Sequence, residues 1–352
     1  MSMPGLQRVV YLLGPERVEL RRETVPEPGE GELLVRVAAA TTCGTDVKVF
    51  LRGGHPRMLR VPTPFGHEIA GTVAALGKGA EALNAAWRQG DRVVVSNSAP
   101  CGRCAYCARG RENLCSGLEY LNGAFADFII VPRRFAERST YRIPADLPFE
   151  VAALTEPLAC VLHGIDACGL EGPADVVVFG AGPIGLLFAA ALAAERHRVT
   201  LADPNETRLA AGRVLGAERV LRVARGGGQA AAAREAAADA DGFDVAVDAT
   251  GVPEVWQDAM DSVRPGGLVN LFGGCAPGTS VPLDTHRVHY SEITIKGVYH
   301  HRPATVARAI GLLARRAFDA RVLLSAERPL EELEDALRSM MRKEALKVVM
   351  RP

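Results

Sequence analysis

The sequence has no excess of either charge and no long apolar run. Lysine and arginine together number 41, and so do aspartate and glutamate, a balance that argues against nucleic acid or an anionic membrane as the main partner. No stretch of eighteen apolar residues occurs, and no apolar core of a signal peptide follows the opening segment MSMPGLQRVV. We therefore expect a cytoplasmic protein with neither a membrane nor a nucleic-acid partner.

The length of the chain and a change in its secondary-structure pattern predict two domains. A chain of 352 residues exceeds one ordinary core. Residues 1–150 hold short apolar runs between turns, which indicates a β-rich domain; the runs are LLVRVAAA, IAGTVAAL, DRVVVS and FADFIIV. Beyond Pro157, strands alternate with helices, which predicts an α/β domain with a doubly wound parallel sheet.

Two later segments add detail to this division. The segment RVARGGGQAAAAREAAADADG predicts a flexible turn that leads into an alanine-rich surface helix. The tail PLEELEDALRSMMRKEALKVVMRP predicts an amphipathic helix and a last strand.

A glycine pattern after a buried strand indicates a dinucleotide site. Gly180, Gly182 and Gly185 follow the apolar run that ends at Phe179, and an apolar helix comes next. The first glycine would make the turn, the second would let a pyrophosphate approach, and the third would let helix and strand pack closely. The loop also contains Pro183 and Ile184. The alternative is an ordinary strand–helix turn without a ligand.

An acid further along the chain favours NAD over NADP. Asp203 lies 18 residues after Gly185, at the predicted end of the next strand. A carboxylate there would accept hydrogen bonds from the ribose hydroxyls and repel a 2'-phosphate. The alternative role for Asp203 is a helix cap. Arg208 either touches the adenosine or is a solvated helix residue.

Four cysteines within fifteen residues predict a structural zinc site. Their positions are Cys101, Cys104, Cys107 and Cys115. Four thiolates fill the tetrahedral coordination of zinc and leave no open position, so we assign this metal to the folding of a lobe at about 97–118. The alternative is four unrelated cysteines, one of them redox-active.

A second group of donors would suit zinc with an open position. Cys43 follows LLVRVAAA, His67 and Glu68 precede IAGTVAAL, and Glu156 stands at the predicted domain junction. Asp46 is the candidate acceptor for the ring N–H of His67. Taken singly, each has an ordinary alternative, because a lone cysteine is usually a small buried hydrophobe and a lone histidine is usually a satisfied packing residue.

Taken together, these motifs resemble the zinc-dependent medium-chain alcohol and polyol dehydrogenases, in their sorbitol and threonine dehydrogenase-like branch. The stretches that carry the resemblance are CGTD at 43, GHEIAGTV at 66, the four-cysteine lobe, EPLAC at 156, GAGPIG at 180, DATG at 248 and LFGG at 271. The resemblance implies a GroES-like β-rich catalytic domain over 1–156 and 300–352, and a Rossmann NAD-binding domain over 157–299. It also implies NAD, two zinc ions per chain and a homodimer or homotetramer.

The resemblance assigns roles residue by residue. Cys43, His67 and Glu156 look like the catalytic zinc ligands, and Glu68 looks like a carboxylate that can move on and off the metal. Thr45 resembles the hydroxyl that takes the substrate proton. Thr250, Phe272 and Gly273 belong to the motifs of the cofactor site, and the backbone of the last two resembles the segment that holds the nicotinamide amide.

One position departs from the family pattern. Many relatives have a histidine five residues after the catalytic cysteine, where this chain has Lys48. A lysine there could bind the cofactor ribose, but it relays protons less well near neutral pH. The version CGTDVKVF with GGHPRM is similar to enzymes that oxidise cyclitols or aminocyclitols.

The resemblance implies reversible oxidation of a secondary alcohol, with a polyol or cyclitol-type substrate. Within the class, a threonine 3-dehydrogenase-like or a simple secondary alcohol dehydrogenase is the alternative. A zinc-free quinone or enone reductase would not need the complete ligand set, and a non-enzymatic NAD-binding protein would tolerate its partial loss. Four histidines are expected at the surface or in packing rather than as ligands; they are His286, His289, His300 and His301.

Overall fold

The computed structural model describes residues 5–83 and 85–352. The strands, numbered in chain order, are β1 Leu6–Gly14, β2 Arg17–Thr24, β3 Leu33–Thr41, β4 Thr63–Pro64, β5 Ile69–Leu76, β6 Arg92–Val95, β7 Ser98–Ala99, β8 Glu119–Tyr120, β9 Phe128–Val131, β10 Thr140–Arg142, β11 Asp175–Phe179, β12 Arg198–Asp203, β13 Arg219–Arg222, β14 Phe243–Asp248, β15 Val263–Leu271, β16 Thr294–Gly297, β17 Leu324–Pro329 and β18 Lys347–Arg351.

Helices connect and cover these strands. They are α1 Gly44–Arg52, α2 Ala105–Ala108, α3 Arg133–Arg138, α4 Phe149–Ala152, α5 Thr155–Cys168, α6 Pro183–Ala194, α7 Glu206–Val214, α8 Ala230–Glu235, α9 Pro253–Ser262, α10 Thr285–Tyr290, α11 Pro303–Ala314 and α12 Leu333–Met341. Short 3-10 turns occur at Ala80–Ala82, Glu112–Leu114, Ala320–Leu323 and Leu330–Glu332.

The chain divides into two compact units. Unit 1 comprises the described part of 1–156, with Arg302–Arg315 and Leu323–Pro352. Unit 2 comprises Pro157–His301 and Arg316–Val322. The C-terminal tail thus returns to the unit that contains the start of the chain.

Unit 1 is built on antiparallel pairing around a large apolar core. Its main sheet runs β10-β6-β5-β3-β18-β17, with β9 also paired to β3. A three-stranded sheet, β2-β1-β4, lies beside it in the same unit. The C-terminal strand β18 pairs antiparallel with β3, so the tail completes the sheet that carries the first half of the unit. Aromatic side chains such as Phe50, Phe65, Trp87, Phe125 and Phe135 fill the core.

Unit 2 is a parallel sheet in the order β13-β12-β11-β14-β15-β16. Every pairing in this sheet is parallel, and the strand order is that of doubly wound dinucleotide-binding folds. The central strand β11 is buried along its whole length, as its continuous apolar run predicts. The α/β fold class expected from the sequence, a β-rich domain and a Rossmann-type parallel sheet, is confirmed.

Two helical segments of the chain are distinctive in composition: one is rich in alanine, and the other is long and apolar. The alanine-rich segment forms only the six-residue helix α8, after a turn in which Gly226 and Gly228 have positive φ. The stretch Phe149–Cys168 is long and apolar enough to cross a membrane, but 67% of it is buried within the protein. Burial of that extent is usual for the core helix of a water-soluble fold.

Candidate functional site

The candidate metal site in unit 1 begins where β3 gives way to α1. Cys43 is the N-cap of α1, and its Sγ accepts a hydrogen bond from the backbone N–H of Thr45 at 3.2 Å. The backbone N–H of Cys43 donates to Asp46 Oδ2 at 2.9 Å. These reciprocal bonds form a capping box, in which a cysteine takes the place that serine or threonine usually occupies. The thiol is thereby fixed at the start of the helix.

His67 reaches this thiol because β3 and β5 are antiparallel neighbours. Ala40 pairs with Ile69, which brings the residues that follow β3 close to those that precede β5. His67 Nε2 lies 3.3 Å from Cys43 Sγ, and His67 Nδ1 lies 3.0 Å from Asp46 Oδ1. The contact expected between Asp46 and His67 is therefore present. It fixes the orientation of the ring and leaves Nε2 directed at the sulfur.

Burial and charge shape the protonation of this cluster. Burial raises the pKa of Cys43, with a further contribution from the carboxylate of Asp46. Burial also opposes protonation of His67, but the adjacent Asp46 and Cys43 outweigh it and raise the pKa of the imidazole. A buried thiol and imidazole beside a carboxylate are groups that a cation would stabilise.

The spacing of Cys43 and His67 fits a tetrahedral metal. Ligand atoms of Cys43, Asp46 and His67 all lie within 4.8 Å of one another. A sulfur and a nitrogen bound to one tetrahedral zinc would be about 3.5 Å apart, given usual bond lengths. The observed separation of 3.3 Å is close to that value.

Glu68 has its carboxylate in a different contact. Lys347 Nζ lies 2.7 Å from Glu68 Oε2 and 2.9 Å from Oε1, and the side chains of both residues are 1% exposed. The hydroxyl of Thr41 also donates to Oε2. Burial works against the charge of Lys347, but Glu68 outweighs it and raises the pKa of the ammonium. The carboxylate is held by a buried cation and a hydroxyl.

Sequence reasoning missed Lys347 and Thr41. The available signal was a lysine inside the apolar strand KVVM, since a charged residue buried in a strand needs a partner. The identity of that partner could not be read, because Glu68 lies 279 residues away along the chain.

The remaining predicted site residues of unit 1 lie on two helices, α5 and α1. Glu156 lies half-buried in the first turn of α5, beside the buried residues Ser96 and Thr155. Neither Glu156 nor Glu68 belongs to the cluster of Cys43, Asp46 and His67 within the described residues. On α1, Thr45 is half-buried, whereas Lys48 is exposed.

The four cysteines of the lobe converge as one cluster. Their sulfur atoms lie within 4.8 Å of one another, and the cysteines are Cys101, Cys104, Cys107 and Cys115. The Cys104 sulfur is 3.6 Å from that of Cys107 and 3.8 Å from that of Cys115. Four thiolates around one zinc would be about 3.8 Å apart, whereas a disulfide needs about 2.05 Å. All four thiols are free, so the lobe fits a metal.

The local backbone shapes the four-cysteine lobe through a hydrogen bond to one thiol and through two glycine turns. A hydrogen bond from the backbone N–H of Cys107 is the main cause that lowers the pKa of Cys104 to about 5. Gly102 and Gly110 both have positive φ, at 72° and 66°, which glycine adopts without strain. The turns around the thiolates therefore depend on these two glycines.

In unit 2 the three glycines of the turn differ in their surroundings. Gly180 follows β11 with φ of +99°, and a Cβ on Gly185 would lie 1.7 Å from the carbonyl oxygen of Gly180. Gly182, the N-cap of α6, has no atom within 4 Å of where its Cβ would be. Pro183 begins α6, a position that proline favours, and Ile184 follows it. The turn thus has space above Gly182 and none beside Gly185.

Asp203 lies at the end of β12, as the sequence predicted. Its Oδ2 accepts the backbone N–H of Ala181 at 2.7 Å, and its Oδ1 accepts that of Asn205 at 2.7 Å. Arg208 is half-buried on α7, where burial lowers its pKa against the attraction of Asp203. The carboxylate therefore also fixes the glycine turn, a role that the sequence did not indicate.

Thr250, Phe272 and Gly273 come together at the ends of β14 and β15. The backbone N–H groups of Phe272 and Gly273 donate to the carbonyl oxygen of Asp248, at 3.2 and 2.8 Å. The hydroxyl of Thr250 donates to Asp248 Oδ1 at 2.5 Å. A Cβ on Gly180 would lie 2.8 Å from the Thr250 methyl group, so the DATG turn also packs on the glycine turn.

The histidines differ among themselves. His286 and His289 are exposed on α10, and the ring of each contacts that of Tyr290, tilted for His286 and edge-on for His289. His301 is buried, and burial lowers its pKa to about 3. The ring of His300 lies 4.1 Å from that of His301.

Unit 1 contains a metal-capable Cys–His cluster and a four-thiol lobe, and unit 2 has the fold and turns of a dinucleotide-binding domain. These features define a metal-dependent oxidoreductase that uses a nicotinamide cofactor. Family models agree: residues 29–144 match the alcohol dehydrogenase GroES-like domain, and residues 183–315 match the zinc-binding dehydrogenase domain.

Individual relatives span nearly the whole chain. A D-altritol 5-dehydrogenase of Agrobacterium fabrum is 35% identical over 90% of this chain and 91% of its own. An L-threonine 3-dehydrogenase of Idiomarina loihiensis is 29% identical over 92% and 93%. A crystal structure of a zinc-binding dehydrogenase from Sinorhizobium meliloti, bound to NADP, has a TM-score of 0.88 at 28% identity and covers 99% of this chain and all of its own.

The chain belongs to the zinc-dependent medium-chain alcohol dehydrogenases. It is accordingly an oxidoreductase that interconverts an alcohol and a carbonyl compound with a nicotinamide cofactor. The resemblance inferred from the sequence motifs is confirmed.

Proposed function

We propose that this enzyme oxidises a secondary alcohol group of a polyol or cyclitol, reversibly and with NAD. The observation that carries the proposal is the buried contact of Cys43 and His67, oriented by Asp46, in a chain of the zinc dehydrogenase family. Similarity to a D-altritol dehydrogenase supports a polyol substrate. The threonine dehydrogenase relative makes L-threonine the main competing substrate.

The residues of unit 1 divide the catalytic work. Cys43, His67 and Glu156 would hold the catalytic zinc, and Asp46 would keep the ring of His67 aligned. A zinc ion held there would supply the Lewis acidity that lowers the pKa of a substrate alcohol. The hydroxyl of Thr45, in the first turn of α1, would accept the proton that the alcohol loses and pass its own proton to solvent through the cofactor ribose. Lys48, exposed on the same helix, would bind a ribose hydroxyl of the cofactor.

Glu68 has a separate role in this proposal. Both of its oxygens contact Lys347, and Thr41 donates to one of them. A carboxylate satisfied in this way gains little by leaving its partners. Glu68 would therefore remain with Lys347 in the resting enzyme, and Glu156 would be the carboxylate ligand.

The second zinc would be bound by the lobe and would stabilise it. Its ligands would be Cys101, Cys104, Cys107 and Cys115, which fill a tetrahedral site and leave no place for substrate. Two zinc ions per chain follow. The compact units support the domain limits read from the sequence, 1–156 with 300–352 and 157–299, except over 300–301 and 316–322.

The cofactor would be NAD rather than NADP. The carboxylate of Asp203 ends β12 where the adenosine ribose binds in dinucleotide folds, and its charge would repel a 2'-phosphate. Gly182 would leave room for the pyrophosphate, and Arg208 would contact the adenosine. Phe272 would present its backbone to the nicotinamide amide. We further expect a cytoplasmic homodimer or homotetramer.

The test is the rate of NADH formation by the zinc-loaded enzyme with a panel of alcohols. D-altritol, D-sorbitol and cyclitols should give turnover, and L-threonine and simple secondary alcohols should give much less. NAD should be used far better than NADP, and Cys43→Ser should abolish turnover with every alcohol. Preferential oxidation of L-threonine would replace the polyol proposal, and equal use of the two cofactors would contradict the assignment of Asp203.

A further inference from the structure

A buried carboxylate in unit 2 gathers donors from two turns. Asp248 is fully buried at the end of β14, and its carboxylate accepts four hydrogen bonds from side-chain and backbone donors. Its Oδ1 accepts from the backbone and the hydroxyl of Thr250, at 3.1 and 2.5 Å. Its Oδ2 accepts from the backbone of Gly251 and from the indole of Trp256, each at 3.0 Å. A buried carboxylate needs such donors because burial disfavours its charge.

Trp256 extends this network to the turn after β15. Its indole N–H, which projects from α9, also lies 3.1 Å from the carbonyl oxygen of Gly273. One donor is therefore shared between a carboxylate on the β14 side and a carbonyl on the β15 side. The N–H of Gly273 donates to the carbonyl oxygen of Asp248. Both backbone polar groups of Gly273 are thus satisfied by the protein itself.

The two turns are also in direct steric contact. A Cβ on Gly273 would lie 2.3 Å from the backbone nitrogen of Gly251 and 2.5 Å from Asp248 Oδ2. A Cβ on Gly251, which has positive φ, would lie 2.5 Å from the carbonyl oxygen of Gly274. Glycine at these positions lets the backbones approach, and the indole bond fixes the direction of the Gly273 carbonyl at this contact.

We propose that Trp256 is a positioning residue for the nicotinamide end of the cofactor. It fixes the turn formed by Phe272, Gly273 and Gly274, and this inference rests on the proposed role of that turn in holding the nicotinamide. The adenosine end is organised by other contacts, those of Asp203 with Ala181 and Asn205. Loss of the indole N–H should therefore weaken binding at one end of the cofactor and spare the other.

The experiment compares two ligands that share the adenosine end. Dissociation constants for NADH and for ADP-ribose, which lacks nicotinamide, are measured by calorimetry for the wild type and for Trp256→Phe. NADH affinity should fall about three- to tenfold, the range expected for one lost hydrogen bond, while ADP-ribose affinity stays within about twofold. The matched control is Trp87→Phe, which removes a buried indole bonded to the carbonyl of Ala136 in unit 1; it should leave both constants unchanged.

Each outcome has a separate meaning. Equal weakening of both ligands by Trp256→Phe would show a general structural role and would overturn the proposal, as would no change in either. Trp256→His, which keeps a ring N–H, should recover part of the NADH affinity. A wild-type enzyme that binds neither ligand would contradict the proposed function instead.

If Trp256→Phe fails to fold, the Trp87→Phe protein provides an equivalent test. The chain has two tryptophans, so the tryptophan fluorescence of the Trp87→Phe variant comes from Trp256. NAD should alter that emission and ADP-ribose should not. An equal response to the two ligands, or none to either, would overturn the proposal.

Discussion

Among single residues, Lys347 and Glu68 form a buried ion pair that joins two parts of unit 1 far apart in the chain. Both side chains are buried, and each carries a charge that the interior would not tolerate alone. Such a pair adds little net stability compared with two apolar residues, but it makes each partner dependent on the other. The structure therefore links the C-terminal strand to the residue beside His67.

Removing the cation alone should expose this dependence. Lys347→Met leaves the carboxylate of Glu68 buried with only Thr41 as a donor. The free energy of unfolding should fall by about 3–5 kcal/mol, the usual cost of breaking a buried pair. Denaturant titration monitored by circular dichroism measures this free energy of unfolding.

The matched control replaces both partners. Lys347→Met combined with Glu68→Leu should regain most of the lost stability, because no unpaired charge remains. A single variant as stable as the wild type would show that Glu68 finds another partner or takes up a proton at no cost.

At the level of secondary-structure elements, the strand–turn–helix segment of β11 and α6 contains two glycines with different structural roles. Gly185 is required for packing, since a Cβ there would lie 1.7 Å from the carbonyl oxygen of Gly180. Gly182 is bordered by open space, so the protein itself places no steric demand on it. A side chain at Gly185 would conflict with the fold, whereas one at Gly182 would conflict only with a cofactor bound as proposed.

Alanine substitutions at these two glycines should therefore give opposite results. Gly182→Ala should leave the melting temperature nearly unchanged, apart from a small loss at the helix N-cap, and should weaken NADH binding at least tenfold because its methyl group occupies the space for the pyrophosphate. Gly185→Ala should lower the free energy of unfolding by about 1–3 kcal/mol or more through overpacking.

Calorimetry for NADH and thermal melting measured on both variants provide the test. Normal NADH affinity in Gly182→Ala would show that the cofactor does not approach the turn at this residue.

At the scale of the whole molecule, the two kinds of chemistry belong to different units. The cysteine clusters around Cys43 and around Cys104 lie in unit 1, whereas the glycine turn and Asp203 lie in unit 2. These two cysteine clusters are nonetheless distinct in their surroundings. Cys43 belongs to a buried site with a histidine, while Cys104 belongs to a half-exposed lobe of four thiols.

The zinc content of cysteine variants should show that the two clusters bind metal independently. The wild type should hold two zinc ions per chain by atomic spectroscopy. Cys43→Ser should retain one and lose all turnover with little change in melting temperature. Cys104→Ser should also retain about one, but its melting temperature should fall because the lobe loses the metal that organises it.

The contrast between these variants is the informative result. Unchanged stability and zinc content in Cys104→Ser would refute the structural assignment of the lobe.

Much of this architecture could be predicted from the sequence because its signals are local. The spacing of the four cysteines, the glycine pattern after an apolar run and the acid at the end of the next strand each occupy a short segment whose geometry the backbone dictates. The strands β3, β5 and β14 likewise follow from short apolar runs. Neighbouring residues suffice to define these features.

The residue types at the turns and strand ends are thus readable from the chain alone, and with them the candidate metal donors and the cofactor-binding fold. Which buried polar groups meet follows from the packing of the folded chain: Lys347 pairs with Glu68, and Trp256 bonds to both Asp248 and Gly273. The reason is physical. A buried charge or indole must find a partner, but which one it finds depends on the pairing of strands and the packing of helices far apart in the chain.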